Sequence, residues 1–447
     1  MTEPSSGGTS LTAAGGGTRI LYAYRDQDVL APAVVADVPS SWHSAQGADL
    51  VIIGARSLLP SMRPLVDQRT AEGLTVALVD VEDVYDEFSA GEKDTLALKS
   101  FLANAARTWS TPPSFVLLAG AATYDPRGWL GHPELDQVPT VLVATRYIEA
   151  PSDDALVTFD GALGPALAIG RLPLSSAADM DFAVAKIIGR APASKPAGSL
   201  LLVHDRDGTI DFSAASAEVR AALSGWSAQD LVRGPDDAAT HAALLEALRA
   251  GHAAVDFQGH GAEDFWGGQI LSTTDVDALS GTGGGTLLVA ATCLNAYFVD
   301  IGRESLGSAL LRTPNGGAWG VWASSALTLP TEHALLSKTL LSAALNDGLT
   351  LGEATLEAKA AVSDPDVRAS FLLLGDPSAR AVAQTSSALS ISGKSSSSLG
   401  CSTSGAGTTS AAILLLVGLW LVSSRRRRAP VTVRRADQSS SRFRNVG

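Results

Sequence analysis

Two reactive side chains close apolar runs and set the chemical question. His260 lies between two glycines in "DFQGHGAEDFWG" (residues 256–267), and Cys293 ends "TLLVAATC" just before "LNAYF". A thiolate is a nucleophile, and a neighbouring imidazole lowers a thiol's pKa and can take its proton. In an open α/β sheet, functional groups gather at the carboxyl ends of the strands. If the strands that end at His260 and Cys293 are adjacent and parallel, both side chains enter one crevice. The flanking glycines would then let the Gly261 N–H face a developing oxyanion beside the Cys293 N–H. A buried structural cysteine and a turn-capping histidine are the alternatives that the spacing leaves open.

The elements that must position this pair follow from the pattern of apolar runs. "DLVIIG" (49–54), "TVALVD" (75–80), "FVLLAG" (115–120) and "ALAIG" (166–170) read as strands, with helical stretches between the first three. The pattern restarts with "SLLLVHD" (199–205), "AAVDFQG" (253–259), "TLLVAATC" (286–293) and "AWGVWAS" (318–324), with helices expected at 214–224 and 239–250. Helices at about 331–346 and 351–362 and a last strand, "SFLLLGDP", finish the fold. Such alternation predicts βαβ units around mostly parallel sheets. The fold class is therefore α/β, with two tandem subdomains over residues 19–195 and 196–385. A Gly/Ser/Thr-rich lead (1–18) precedes them. A Ser/Gly linker (386–410), an apolar segment with an Arg cluster (411–428) and a basic tail (429–447) follow.

Charge and cysteine usage narrow the function classes. The chain of 447 residues carries a formal charge of −13, yet the segment 425–447 is +7, which leaves −20 on the rest. An acidic body argues against nucleic acid as a partner, because phosphate contacts need Lys and Arg. The two cysteines, Cys293 and Cys401, lie in dissimilar contexts and predict no disulfide. The histidines show no metal-ligand spacing, so no metal and no cofactor are expected. Trp266, Trp319 and Trp322 read as core, Trp129 and Tyr124 as structural. Glu82, Asp83, Asp86 and Glu87 read as a solvated loop or helix face.

"GHGAEDFWGG" and "ATCLNAYF" resemble the two signature segments of the gingipain-type cysteine peptidases, relatives of caspases and legumains. Other blocks follow in the family's order: "VDVEDVYDEFSAGEKD", "FVLLAGAATYDPRGWLG", "VPTVL", "SDDALVTFDG", "LAIGRLP" and "LLLGDPSAR", spanning about residues 48–385. The resemblance implies two caspase-like α/β subdomains. It implies Cys293 as nucleophile, His260 as general base and Gly261 as a backbone oxyanion donor. An acid that orients the histidine would be Asp205 or Asp207. The acid that reads a basic P1 side chain would be Asp211, which equally reads as a helix N-cap. "FDGALGPALAIG" lacks the acidic ligands of a calcium loop. The expected activity is cysteine endopeptidase action on proteins or peptides through a thioester. A sortase-like transpeptidase with the same dyad and a catalytically silent scaffold are the alternatives.

The tail carries an address of its own. Gly400-Cys401, the apolar run 411–422 and Arg425–Arg428 resemble the Gly-Cys/hydrophobic/poly-Arg tails that bacterial myxosortase-type systems process. That resemblance implies a sorting peptidase acting near Cys401 and attachment at a bacterial cell surface or outer envelope, with the apolar segment as a membrane contact. The first residues hold no basic stretch followed by an apolar run, so no secretion signal is read there, and an incomplete N-terminus is the accompanying expectation.

Overall fold

Each half of the chain builds most of its central strands from short, mainly apolar runs. The computed structural model describes residues 39–383 with Gln27 and Val29, leaving out 160, 163, 195–198 and 282–284. The lead, the linker with Gly400 and Cys401, the apolar run and the basic tail lie outside the described residues. The first half contains β1 (Leu50–Gly54), α1 (Leu59–Ala71), β2 (Val76–Asp80), α2 (Val81–Ser89), α3 (Thr95–Thr108), β3 (Phe115–Ala119), β4 (Leu142–Ala144), β5 (Glu149–Pro151), β6 (Ala168–Leu172) and α4 (Ala177–Gly189). The second contains β7 (Ser199–His204), α5 (Phe212–Ala222), β8 (Ser227–Val232), α6 (Asp237–Ala250), β9 (Ala254–Gln258), β10 (Thr286–Ala291), α7 (Leu306–Arg312), β11 (Ala318–Ser324), α8 (His333–Leu345), α9 (Leu351–Ala361), α10 (Pro365–Ser370) and β12 (Phe371–Leu374).

The two halves share one ten-stranded sheet in the order β2-β1-β3-β6-β12-β11-β10-β9-β7-β8. Every pairing in it is parallel except β11 with β12. β1, β3, β9 and β10 are buried along their whole length, as parallel strands covered on both faces must be. One face packs on α1, α4, α6 and α7 through a core that runs across both halves, with Ile52, Leu117, Val255, Phe257 and Leu288 among its members. The other face is covered by α2 and α3 in the first half and by α5, α8 and α9 in the second.

β12 joins the halves, although Leu374 opposite Arg171 is its sole paired position with β6. Neighbouring contacts strengthen that seam. The Gly375 N–H donates to the Arg171 carbonyl (2.8 Å), and a Cβ on Gly170 would lie 2.2 Å from the Gly375 carbonyl oxygen. The fully buried Arg171 makes a two-pronged contact with Asp153, at 2.7 Å on each prong. Arg69 on α1 reaches Asp376 at 2.7 Å. Lys186 on α4 is buried with no carboxylate. Its ammonium donates to the carbonyls of Leu310 (2.9 Å) and Gly316 (3.1 Å), and burial pushes its pKa down to about 7.

Several local expectations change. Of the two readings of the acidic run at 82–87, the helix face holds: it lies in α2, opened by the Asp80 carboxylate on the Glu82 N–H at 3.1 Å. The strand expected over 166–170 runs from Ala168 to Leu172. β8, the β4–β5 hairpin and the helices α4, α7 and α10 are elements that the apolar pattern did not announce. Trp266, Trp319 and Trp322 are core, as expected, but Trp129 is 77 % exposed and Tyr124 38 %.

Candidate active site

β9, β10 and β11 are adjacent and end at one rim. Gln258 pairs with Ala291. His260 and Cys293 each lie two residues beyond that pair, just past the ends of β9 and β10. Leu287 and Val289 face the core beneath α5 and α8. The exposed His260 ring packs edge-on against Phe212 at the start of α5, with centroids 5.2 Å apart at 84°.

A tight hairpin presents the histidine. The Ala262 N–H donates to the Phe265 carbonyl (2.9 Å) and the Gly267 N–H to the His260 carbonyl (2.6 Å). Gly261 therefore faces Trp266 at a non-hydrogen-bonded position, which turns its N–H away from the hairpin. Glycine is required here, because a Cβ would lie 2.5 Å from Thr292 Oγ1. The same contact brings the histidine turn against the residue that precedes Cys293. Beneath it, Trp266 stacks on Phe257 at 4.0 Å.

The cysteine turn is sharp and bolted down. Leu294 has φ 63°, in the left-handed region, and such a residue persists where its surroundings fix it. Its N–H donates to the Ala326 carbonyl at 3.2 Å. Asn295, 1 % exposed, donates to the Ala262 carbonyl (2.6 Å) and accepts from the Trp266 indole (2.8 Å), so one side chain ties the cysteine turn to the histidine hairpin. Among the described residues neither the Gly261 N–H nor the Cys293 N–H donates to a protein acceptor. Two free donors beside a half-buried thiol can bind an oxyanion.

Burial pushes the Cys293 thiol pKa up, and the backbone and hydroxyl of Thr328 pull it down. Sγ donates to the Thr328 carbonyl at 3.7 Å. Among the described residues no hydrogen bond joins the thiol to the His260 ring. Proton transfer between them would need the imidazole to close on the sulfur, as catalytic contacts commonly do when substrate binds.

The three acids divide by role. Asp205, 2 % exposed, takes the His260 backbone N–H (3.3 Å) and the Arg233 guanidinium (2.9 Å), so it holds the histidine's backbone and makes no bond to its ring. Asp207 is exposed and accepts the Ser213 N–H (2.9 Å), which lowers its pKa. Asp211 caps α5, accepting from the Ala214 N–H and from Ser213 Oγ at 2.8 Å each. Asn295, Thr328 and Arg233 escaped the sequence reading as parts of the site. Glu263, in the turn of the same hairpin, is buried, and burial pushes its pKa up to about 7. Among the described residues no group of His, Cys, Asp or Glu could hold a metal ion, and no helix is long and apolar enough to cross a membrane.

The profile of peptidase family C25 matches residues 43–382. The fold is similar to a crystal structure of the Arg-specific cysteine proteinase gingipain R (RgpB), with TM-score 0.60 and 18 % identity over 77 % of this chain and 80 % of that one. A complex of the Porphyromonas gingivalis RgpB pro- and mature domains matches with TM-score 0.59 and 17 % identity, covering 74 % of this chain and 79 % of that one. A structure described as a protease matches with TM-score 0.61 and 14 % identity, covering 74 % and 78 %. Comparison with curated proteins finds no significant match. The matched family and the fold agree: the chain belongs to peptidase family C25 and is a cysteine-type peptidase.

Proposed function

We propose that the protein is an endopeptidase that cuts proteins or peptides with Cys293 as nucleophile and His260 as its base. His260 takes the thiol proton, and Sγ attacks the scissile carbonyl carbon. The oxyanion that forms is held by the N–H groups of Gly261 and Cys293. Collapse of this intermediate breaks the C–N bond, and His260 returns the proton to the leaving amine. Water, deprotonated by His260, then attacks the thioester and releases the acid and the thiol. The observation that supports this reading is that His260 and Cys293 each follow by two residues the paired ends Gln258 and Ala291 of adjacent strands, with the N–H groups of Gly261 and Cys293 unengaged among the described residues.

The test is covalent labelling with P1-Arg and P1-Ala acyloxymethyl ketones, together with peptide hydrolysis. Cys293→Ala should abolish both with little change in melting temperature. His260→Ala should cost about as much, and the double variant no more, because the pair acts as a unit. Activity above a trace in Cys293→Ala would remove it as nucleophile. Attachment at a bacterial surface through Gly400, Cys401 and the apolar run is part of the same reading, carried by the tail sequence. Its check is membrane fractionation with and without residues 400–447.

A further inference from the structure

A cavity of about 540 Å³, lined by no residue of the candidate active site, opens between the ends of α1 and α4 and the segment after β12. Clefts that hold small ligands commonly measure about 300–1,000 Å³. Its lining combines half-buried apolar residues, Leu74, Ile188 and Val382, with three guanidiniums, those of Arg69, Arg190 and Arg380. Two of the three are already matched. Arg69, 4 % exposed, pairs with Asp376 at 2.7 Å and with Glu72 at 2.6 Å, and Arg380 stands 4.0 Å from Glu353. Arg190 is the exception. Among the described residues it makes no ion pair, and its hydrogen bond runs from Nη2 to the Arg380 carbonyl. Its buried Nε finds no acceptor. The guanidinium lies over the Trp319 ring, 3.8 Å from the centroid, which covers one of its faces. Burial and the nearby Arg69 push the Arg190 pKa down to about 10, so the group still carries its charge at neutral pH. A cation drawn out of water without a counter-charge is costly. The adjoining chain supplies no such charge, since residues 191–204 and 377–436 contain no Asp or Glu.

We propose that this cavity binds a small carboxylate with an apolar body, its carboxylate on Arg190 and its body against Leu74, Ile188 and Val382. A planar guanidinium with unused N–H groups matches a carboxylate in both shape and charge. A bare phosphate would match the charge but would gain nothing from the apolar residues. The cavity draws on both halves of the chain, α1 and α4 from the first and the segment after β12 from the second. An occupant therefore bridges the seam of the sheet and stabilises the folded chain by mass action. The proposal does not depend on Cys293 being a nucleophile. Two sources carry this chemistry, a free carboxylic acid and the C-terminal end of a peptide.

The test is thermal unfolding of the full chain with N-acetyl-leucine, against N-acetyl-leucinamide at the same concentration and chloride at the same ionic strength. A ligand that binds only the folded chain raises the Tm of a fold of this size by roughly 4 °C at about a hundred times its Kd. The acid should raise Tm in this way and the amide should not. Arg190→Gln should weaken binding about tenfold or more, because it removes a charge-assisted bond. If that variant fails to fold, Arg380→Gln, which removes the neighbouring charge, takes its place with the same expectation. No rise with the acid, an equal rise with the amide, or an unchanged rise in the variant would overturn the proposal. So would a rise with inorganic phosphate and none with the acid. A rise lost on alkylating Cys293 but kept in Arg190→Gln would put the acid in the catalytic cleft, which also overturns it. A longer peptide ending in leucine with a free carboxylate separates the sources. Binding as tight as that of the short acid assigns peptide ends, and weaker binding assigns the free acid.

Discussion

Asn295→Ala is the substitution that should separate positioning from stability. The amide is 1 % exposed and satisfies two groups, the Ala262 carbonyl at 2.6 Å and the indole N–H of the fully buried Trp266 at 2.8 Å. Each buried group left without a partner costs about 1–3 kcal/mol, so the loss is about 2–6 kcal/mol, toward the low end if water enters the space. A fold of this size unfolds with an entropy of about 0.7 kcal/mol per kelvin, so a loss of about 3 kcal/mol lowers Tm by roughly 4 °C. Activity should fall much further. Asn295 fixes the hairpin that carries His260 and Gly261 relative to Cys293, and a displacement of about 1 Å at reacting groups costs about a hundredfold in rate. Thermal melts and kcat/KM on a peptide, normalised by active-site titration, measure both. Asn295→Asp adds a sign. A carboxylate still accepts from Trp266 but has no proton for the Ala262 carbonyl, and protonation restores one. The folded-state pKa of that carboxyl is raised, so its destabilisation is present above that pKa and relieved as pH falls. The aspartate variant should therefore regain Tm in mild acid, relative to the alanine variant. A Tm within 1 °C and kcat/KM within twofold of the parent for Asn295→Ala would refute the reasoning.

Two further expectations concern charged groups. Asp211→Asn should leave Tm unchanged and alter cleavage after Arg and after neutral residues by less than about twofold, because asparagine caps a helix nearly as well. A selective tenfold loss for P1-Arg peptides would assign Asp211 to the specificity pocket instead. Lys186 has a folded-state pKa near 7 against an ordinary 10.5, so the unfolded chain binds more protons between those values. Its contribution to stability therefore rises with pH from about 7 to about 10. Chemical denaturation of Lys186→Met across that window should show the parent gaining on the variant, and parallel curves would mean that the fold does not lower the lysine's pKa.

The strands and the reactive pair were legible in the sequence because parallel strands covered on both faces are written as unbroken apolar runs. β1, β3 and β10 are of that kind, β9 sets Asp256 and Gln258 among its apolar residues, and His260 and Cys293 lie two residues past the ends of β9 and β10. β8 was not legible, since the edge strand "SAQDLV" buries little besides Leu231 and has no apolar run to show. The single sheet was hidden for another reason: the seam at β6 and β12 depends on a close approach of Gly170 to Gly375 and on ion pairs between residues far apart in the chain. Thr328 was invisible as a neighbour of the Cys293 thiol because it does not lie at the end of an apolar run. Asp211 was the reverse case, a residue with two readings from one sequence context, and the helix it opens uses its carboxylate.

The position of β12 sets an order on biosynthesis. Its four residues are the last strand of the described fold, yet they lie mid-sheet, between β6 and β11. A ribosome delivers β6 some two hundred residues before the strand that must lie beside it, and β1, β2 and β3 earlier still. Until then, β6 presents an open edge, a template for pairing with another chain. β11 waits in the same way, and the N–H of Ser325, just after β11, donates to the carbonyl of Ser370, just before β12. The two halves can each condense early, but the sheet that unites them closes only after residue 374 has emerged. A nascent peptidase built this way would acquire its finished cleft late, when nearly all of the catalytic fold has been made.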